Sequence, residues 1–144
     1  LPFDSRLAAD DLTGSRAHVR GLARAGILTN EECASVLSAL DAVEAELRDE
    51  TFVFVPSDED IHTAVERRVT DRAGPAGAKL HTGRSRNDQI ALDIRLYMRE
   101  ELEVVDQRIK SLQEVLLSMA KQHLDTIMPS YTHLQKAQPM VNYL

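Results

Sequence analysis

The sequence predicts a mainly α-helical protein, with an N-terminal helical domain followed by the first long helix of a central helical bundle. Between Gly83 and Pro129 the chain contains neither glycine nor proline, and apolar residues recur there at steps of three and four. Upstream of that stretch, shorter segments with the same spacing are separated by glycine, proline and capping residues. Both observations indicate helices, because side chains three and four positions apart share one helical face.

Two helices are predicted before residue 50. Apolar residues recur at helical spacing between Asp4 and Ala25, and Gly26 stands where such a helix would end. Thr29 and Glu32 then have the spacing of a capping box, in which each side chain bonds to the backbone N–H of the other residue. The apolar face that follows contains Cys33, Val36, Leu37, Leu40, Val43 and Leu47. The simplest arrangement of these two segments is an antiparallel helix pair.

Residues 51–55, Thr-Phe-Val-Phe-Val, favour a strand by composition but end at Pro56. β-branched and aromatic residues are enriched in strands, whereas proline cannot donate a hydrogen bond to a sheet. We therefore expect an extended connector rather than an edge strand. Ser57 and Asp60 resemble a second capping box, which predicts a third helix over residues 59–72. The Gly-Pro-Ala-Gly sequence at 74–77 ends that helix.

His62 and Glu66 lie one helical turn apart in this third helix. A histidine and a carboxylate at such a spacing are able to bind the same metal ion. No third ligand of matching type accompanies them in the sequence, so we expect no metal site here.

Residues 81–89, His-Thr-Gly-Arg-Ser-Arg-Asn-Asp-Gln, form a polar segment that leads into the long helix. Gly83 allows a tight turn, and hydrogen-bond donors are concentrated in the four residues that follow it. The first backbone amides of the helix face the same region. No acidic residue occurs between Pro75 and Asn87, although the formal net charge of the chain is −6. The segment therefore predicts a binding site for a carboxylate or phosphate; the alternative is a polar turn before a capped helix.

The long helix is expected to run from Asn87 to about His123. At about 1.5 Å per residue it would span roughly 55 Å, which is longer than a domain of this size buries by itself. Its apolar positions are Ile90, Ile94, Met98, Leu102, Val105, Ile109, Leu112, Leu116 and Met119. This pattern predicts a helical bundle whose helices come from different subunits. We accordingly divide the chain into residues 1–86, the N-terminal helical domain, and residues 87–144, the start of the bundle domain.

A second polar segment follows the helix at residues 129–139, between two prolines. Its hydrogen-bonding side chains are Thr132, His133, Gln135, Lys136 and Gln138. A surface turn needs few such groups, so their density predicts part of a functional site. The last residues, 142–144, resemble the start of another helix.

The composition excludes several classes of partner. Aromatic residues make up 4% of the chain and tryptophan is absent, which disfavours a nucleic-acid stacking surface. The chain has one cysteine, so neither an internal disulfide nor a cysteine zinc cluster is expected. No apolar run approaches the ~20 residues that a membrane span requires. We expect a soluble protein of a reducing compartment, the cytoplasm, without nucleic-acid or membrane partners.

Three segments together resemble the argininosuccinate lyase family, which includes δ-crystallin and belongs to the fumarase and aspartase superfamily. They are Asp-Glu-Asp-Ile-His-Thr-Ala with Glu-Arg-Arg at 58–68, the nonapeptide at 81–89, and Tyr-Thr-His-Leu-Gln with Ala-Gln-Pro at 131–139. The resemblance runs through the whole chain. It implies a helical homotetramer in which each active site is built from segments of three subunits.

The resemblance also implies an activity, the reversible cleavage of argininosuccinate to arginine and fumarate in arginine biosynthesis or the urea cycle, without metal or organic cofactor. His133 would be the catalytic histidine, and its proton-transfer partner is left open. The residues implied in substrate binding are Asn87, Thr132, Arg86, Ser85 and Gln135. Asp60 could attract the guanidinium end of the substrate, although a helix-capping role is as well supported.

The family's mobile serine loop, Gly-Ser-Ser-x-x-Met-Pro-x-Lys-x-Asn, does not occur in these 144 residues. The chain therefore holds two of the three active-site segments, and we expect it to be inactive as a separate polypeptide. Two alternatives to an argininosuccinate lyase stay open at this stage: a non-catalytic structural homologue resembling a crystallin, and a sister lyase of the superfamily.

Overall fold

The computed structural model describes residues 3–141. The chain forms two compact units, Leu1–Arg99 and Glu100–Leu144. The elements in order are a 3-10 helix Asp4–Leu7, α1 Ala8–Arg24, α2 Asn30–Arg48, α3 Ile61–Ala73, a 3-10 helix Gly74–Lys79, α4 Arg86–Gln122, and strands β1 Met128–Thr132 and β2 Gln135–Met140. The prediction of a mainly helical protein is confirmed. The proposed division after residue 86 into two domains stays a prediction.

The core of the first unit lies between α1, α2 and α3. Its fully buried apolar side chains include Leu12, Val19, Val36, Leu40, Val43, Ile61, Val65, Val69 and Leu80. Most of these residues recur at steps of three or four, so each helix turns one apolar stripe inward. Leu80 is the exception, because it follows the second 3-10 helix and joins the core from outside the three helices.

The first predicted capping box is confirmed, and the second is wrong. Thr29 Oγ1 accepts from Glu32 N–H at 3.1 Å, and a Glu32 carboxylate oxygen accepts from Thr29 N–H at 3.0 Å. Asp60, by contrast, is itself the N-cap of α3 and accepts from Thr63 N–H at 2.6 Å. Asp58 fixes the turn before it by accepting from Val55 N–H at 2.9 Å. The third helix consequently begins at residue 61 rather than 59.

Ion pairs join the surfaces of α2 and α3. Glu46 of α2 accepts from Arg68 at 2.7 Å and also from Arg72. These arginines lower the pKa of Glu46 from 4.5 to about 2, with Arg68 contributing most.

The predicted connector over residues 51–55 is also confirmed, since it contains no strand.

Gly77 lets the second 3-10 helix pack directly against α3. A Cβ atom at this position would lie 2.7 Å from Thr70 Cα and 2.7 Å from Val69 O. Any other residue would therefore push the two segments apart. This close approach returns the chain to the side of α3 and places the segment at 81–86 next to it.

Helix α4 contains 37 residues and matches the predicted long helix closely. Within the described chain its only buried residues are Gln89 and Asp93. Apolar side chains along the rest of the helix are exposed, among them Met98, Leu102, Ile109, Leu112, Leu116 and Met119. The predicted apolar stripe therefore exists, but none of residues 3–141 covers it.

The second unit contains a β-hairpin where the sequence suggested only a polar loop. β1 and β2 are antiparallel, with Thr132 opposite Gln135. His133 and Leu134 form the two-residue turn and have φ angles of +50° and +61°. Such a turn normally uses Asn-Gly or a similar pair, so the sequence lacked the usual hairpin signal. The helix start predicted at residues 142–144 lies outside the described residues.

Among residues 3–141, none of the helices combines the length and apolarity needed to cross a membrane.

Candidate functional site

The start of α4 forms the first part of the candidate site. Gly83 has a φ of +67°, which an L side chain rarely adopts, and it produces the turn that the sequence predicted. The carbonyl oxygen of Ser85 accepts from Gln89 N–H at 3.1 Å, so the helix begins immediately after Ser85. The first backbone N–H groups of the helix, from Arg86 onward, precede the intrahelical ladder and have no carbonyl partner within the helix.

Arg86 is held by two neighbours. Its Nη2 donates to a Glu66 carboxylate oxygen at 2.9 Å, and its Nη1 donates to Gln89 Oε1 at 2.7 Å. An arginine carries five N–H donors, and these contacts use only one from each terminal nitrogen. Further donors therefore stay available for a carboxylate ligand.

An open cleft of about 380 Å³ lies beside this guanidinium. It is lined by Thr63, Glu66, Arg67, Thr70, Asp71 and Arg86. Ser85 and Asn87 flank Arg86 in the sequence and are both exposed. The cleft thus offers arginine donors for an anionic group and carboxylates for a cationic one.

Asp60 is close enough to Arg86 for the two charges to interact, but its carboxylate already accepts hydrogen bonds within α3. Its carboxylate accepts from both the backbone N–H and the hydroxyl of Thr63. Burial would raise the pKa of Asp60, but these hydrogen bonds and the charges of His62 and Arg86 hold it below its ordinary value. The carboxylate is thus ionised at neutral pH. The capping role considered from the sequence is confirmed, and a role toward substrate stays a proposal.

A buried polar cluster, formed by Asp11, His62 and Asp93, lies behind the start of α4. His62 Nδ1 lies 3.2 Å from Asp11 Oδ1 and 3.3 Å from Asp93 Oδ2, and all three side chains are nearly inaccessible to solvent. Burial raises the pKa of Asp93 to about 7, and the charge of Asp11 adds to that shift. Burial would lower the pKa of His62, but the two carboxylates raise it above its ordinary value.

The sequence does not predict this cluster. Spacing pairs His62 with Glu66, whereas the acidic neighbours of His62 in the fold come from α1 and α4. The sequence contains only a weak indication that Gln89 and Asp93 are buried. Their spacing places them on the same helical face as Leu96, which is half-buried. Polar side chains at the start of an amphipathic helix are ordinarily expected to be exposed to solvent.

Asp11, His62 and Asp93 are also close enough to bind one metal ion. Each offers one ligand atom, and these atoms lie within 4.8 Å of one another. Protonation is a competing way to neutralise the cluster, because burial raises the pKa of Asp93 to about 7 and the two carboxylates raise the pKa of His62. The sequence-based expectation that no metal binds is not tested by this geometry.

The second part of the candidate site is the tip of the β-hairpin. Thr132 ends β1, His133 occupies the turn and Gln135 begins β2, so the hairpin brings these three predicted residues together. Ser130 Oγ donates to the carbonyl oxygen of Gln138 at 2.7 Å and ties the strands together below the tip. The three predicted residues are all exposed, and Leu134 beside them is 99% exposed.

The predicted site residues therefore form two groups. Asp60, Ser85, Arg86 and Asn87 belong to the first compact unit, whereas the hairpin group belongs to the second.

A family model described as a lyase matches residues 1–141. The chain belongs to this lyase family. Among its relatives, the argininosuccinate lyase of Moorella thermoacetica is 49% identical over 97% of the chain, and that of Chloroflexus aggregans is 52% identical over 96%. The chain spans about 30% of the length of each of these curated relatives. The resemblance inferred from the three motifs is confirmed.

Solved structures of other lyases share the fold of this family member. A fumarate lyase from Mesorhizobium sp. BNC1 matches 94% of the chain and 32% of its own length, with a TM-score of 0.73 and 27% identity. An EDDS lyase variant with bound fumarate matches 96% of the chain and 25% of its own length, with a TM-score of 0.70 and 33% identity. The helical fold is thus that of known lyases.

Proposed function

We propose that these residues belong to an argininosuccinate lyase, which cleaves argininosuccinate reversibly to arginine and fumarate. The observation that carries the proposal is the identity of about half of the residues to argininosuccinate lyases over nearly the whole chain. The arrangement of Arg86 supports it, because this side chain is fixed beside an open cleft and retains free donors.

The proposed reaction requires cationic and neutral hydrogen-bond donors. Removal of a proton from the carbon next to a carboxylate creates a carbanion whose charge spreads onto that carboxylate. The bond to the arginine nitrogen then breaks, and fumarate is formed. Donors placed where this charge develops lower the barrier. Ser85 and Asn87 supply such donors in the first unit, and Thr132 and Gln135 supply them in the second. Arg86 holds a carboxylate of the substrate throughout the reaction.

His133 is the proposed catalytic residue. A histidine exchanges protons near neutral pH, so it is suited either to protonate the leaving nitrogen or to orient another proton-transfer group. Its place in a two-residue turn exposes its side chain at the tip of the hairpin. The reaction as proposed needs neither a metal nor an organic cofactor.

We further propose a homotetramer whose active sites combine segments of different subunits. The exposed apolar side chains of α4 support this arrangement, because a helix of this length requires partners to bury them. The exposed hairpin tip is consistent with the same arrangement. We place the enzyme in the cytoplasm, where its small-molecule substrate argininosuccinate would be available and the one cysteine of these 144 residues would stay reduced.

A sister lyase is the second candidate function. The fumarate lyase and EDDS lyase structures favour it, since their folds match nearly the whole chain. Their sequence identities of 27% and 33% are lower than those of the argininosuccinate lyases, so we rank this candidate second.

A substrate panel separates the two candidates. A full-length lyase that carries these 144 residues would be incubated with argininosuccinate, aspartate, malate, adenylosuccinate and EDDS, and fumarate would be followed by absorbance. We expect efficient release from argininosuccinate only. Preference for another substrate would assign a sister lyase, and a folded protein without any activity would indicate a structural homologue.

A further inference from the structure

Gln89 connects an anionic and a cationic side chain through one amide group. Its Nε2 donates to Asp11 Oδ1, and its Oε1 accepts from Arg86 Nη1 at 2.7 Å. The side chain is 3% exposed, so water does not replace these contacts easily. Neither family resemblance nor sequence spacing assigned a role to this residue.

The anionic end of this connection is itself anchored. Asp11 of α1 is 1% exposed and lies 3.2 Å from His62 of α3, which lies 3.3 Å from Asp93 of α4. Three helices therefore contribute to the anchor. A buried ion pair of this kind has few alternative arrangements, because separating its members would leave a charge unpaired in the interior.

The amide chemistry of Gln89 matches both neighbours. Its donor end meets a carboxylate, and its acceptor end meets a guanidinium. A glutamate in the same place would bring two carboxylates together at Asp11, and an apolar residue would contact neither. Without the amide, Glu66 would be the remaining hydrogen-bond partner of Arg86 among the described residues, and the guanidinium would be free to rotate about that contact.

We propose that Gln89 is a positioning residue, which aims the Arg86 guanidinium at a substrate carboxylate through the anchor formed by Asp11 and His62. The proposal rests on the proposed function for the role of Arg86. It adds a buried set of positioning residues behind the exposed residues that contact substrate. A carboxylate-binding arginine held in one orientation loses less conformational freedom when the ligand binds.

Kinetics of a full-length lyase that carries this sequence test the proposal. Gln89→Met keeps the length of the side chain and removes both polar contacts. We expect KM for argininosuccinate to rise about tenfold or more while kcat changes less, because Arg86 holds the carboxylate in the ground state and the transition state alike. Val43→Ala is the control: it removes core contacts in α2 away from Arg86 and should lower Tm without changing KM.

A wild-type KM in folded Gln89→Met protein would overturn the proposal. The same conclusion would follow if KM changed equally in Val43→Ala protein of matched Tm. Should Gln89→Met not fold, Asp11→Asn tests the same connection from its other end. This variant keeps the shape of the side chain but weakens the hold on Gln89, so KM should rise in the same direction, and an unchanged KM would again overturn the proposal.

Crystal structures of wild type and Gln89→Met provide a readout that does not depend on activity. We expect the Arg86 guanidinium to be ordered in wild type and displaced or disordered in the variant. An Arg86 in the same position in both structures would overturn the positioning role. Failure of wild type to cleave argininosuccinate would instead refute the proposed function, and the crystal structures would still decide whether Gln89 positions Arg86.

Discussion

Arg86 lies beside an open cleft, and Glu66 and Gln89 hold its guanidinium. Its place in a segment without acidic residues predicts an anion site. The sequence did not reveal that Glu66 and Gln89 hold the guanidinium, because these contacts depend on how α3 packs beside the start of α4. Local patterns identify a charged side chain but not the partners that orient it.

Replacing Arg86 tests whether its shape matters in addition to its charge. Arg86→Lys keeps the positive charge but loses the planar fork that binds carboxylates through two hydrogen bonds. We expect kcat/KM for argininosuccinate to fall roughly 10- to 100-fold in a full-length lyase that carries this sequence. Steady-state kinetics measure the effect, and values equal to those of wild type would remove Arg86 from the site.

Asp93 provides a prediction of pH dependence. Burial raises its pKa from 3.8 to about 7. The folded protein therefore holds this proton more tightly than the unfolded chain, so the associated stability is fully present below pH 3.8 and is lost as the pH rises through 7. The pKa of His62 is raised above 6.5, so its contribution to stability is also lost as the pH rises, in a range that begins at 6.5.

The neutral variant Asp93→Asn should consequently be more stable, relative to wild type, at high pH than at low pH. We expect its Tm relative to wild type to increase by on the order of a few degrees between pH 5 and pH 8. Thermal unfolding of both proteins at the two pH values measures this difference. A difference that stays constant or decreases with pH would show that Asp93 is ionised throughout.

At the scale of elements, the sequence predicted what local patterns control. The long helix and the Thr29–Glu32 capping box follow from residue spacing alone, and both are present. The start of α3 was misplaced because Asp58 and Asp60 both cap backbone N–H groups, and the spacing does not tell which of them begins the helix. The hairpin was missed because its turn, His133–Leu134, lacks the residues that usually adopt positive φ.

The contact between α2 and α3 depends in part on Glu46. Arg68 and Arg72 lower its pKa from 4.5 to about 2, so its contribution to stability is present above pH 4.5 and is lost as the pH falls through 2. Glu46→Gln should lower the free energy of unfolding at pH 7 by about 1 kcal/mol, a value that allows for screening by solvent around the arginines.

Thermal unfolding of Glu46→Gln and wild type at several pH values tests this contribution. The difference in Tm between wild type and Glu46→Gln should become smaller as the pH falls below 4.5. Glu101→Gln is the control, since Glu101 is an exposed residue in the interior of α4, away from the ends of that helix. An equal effect of both substitutions would mean that the arginine contacts add no stability.

At the scale of the whole molecule, the apolar stripe of α4 has the largest consequence. The sequence predicted both the stripe and its need for partners, and the described chain leaves it exposed. The arrangement of the partners is not encoded in the chain's local pattern, because many bundle geometries bury the same stripe. The proposal that subunits share active sites is therefore tested on the assembled protein.

Mixing two inactive variants tests whether subunits share active sites. A full-length His133→Asn protein should assemble and be nearly inactive, as should a variant disabled in the family's serine loop. Renatured together, the two should regain activity in up to about one site in four, because random mixing combines two intact segments in that fraction of sites. Inactive mixtures in which native mass spectrometry confirms mixed tetramers would mean that both segments act within one subunit.

The measurement that tests the central claim most directly is the cleavage of argininosuccinate by a full-length lyase carrying this sequence, with arginine and fumarate quantified together. We expect equal amounts of the two products, and a loss of roughly 100- to 10,000-fold in kcat for His133→Asn. The claim would be contradicted if the folded wild-type protein released no fumarate from argininosuccinate, or if His133→Asn cleaved it as fast as wild type.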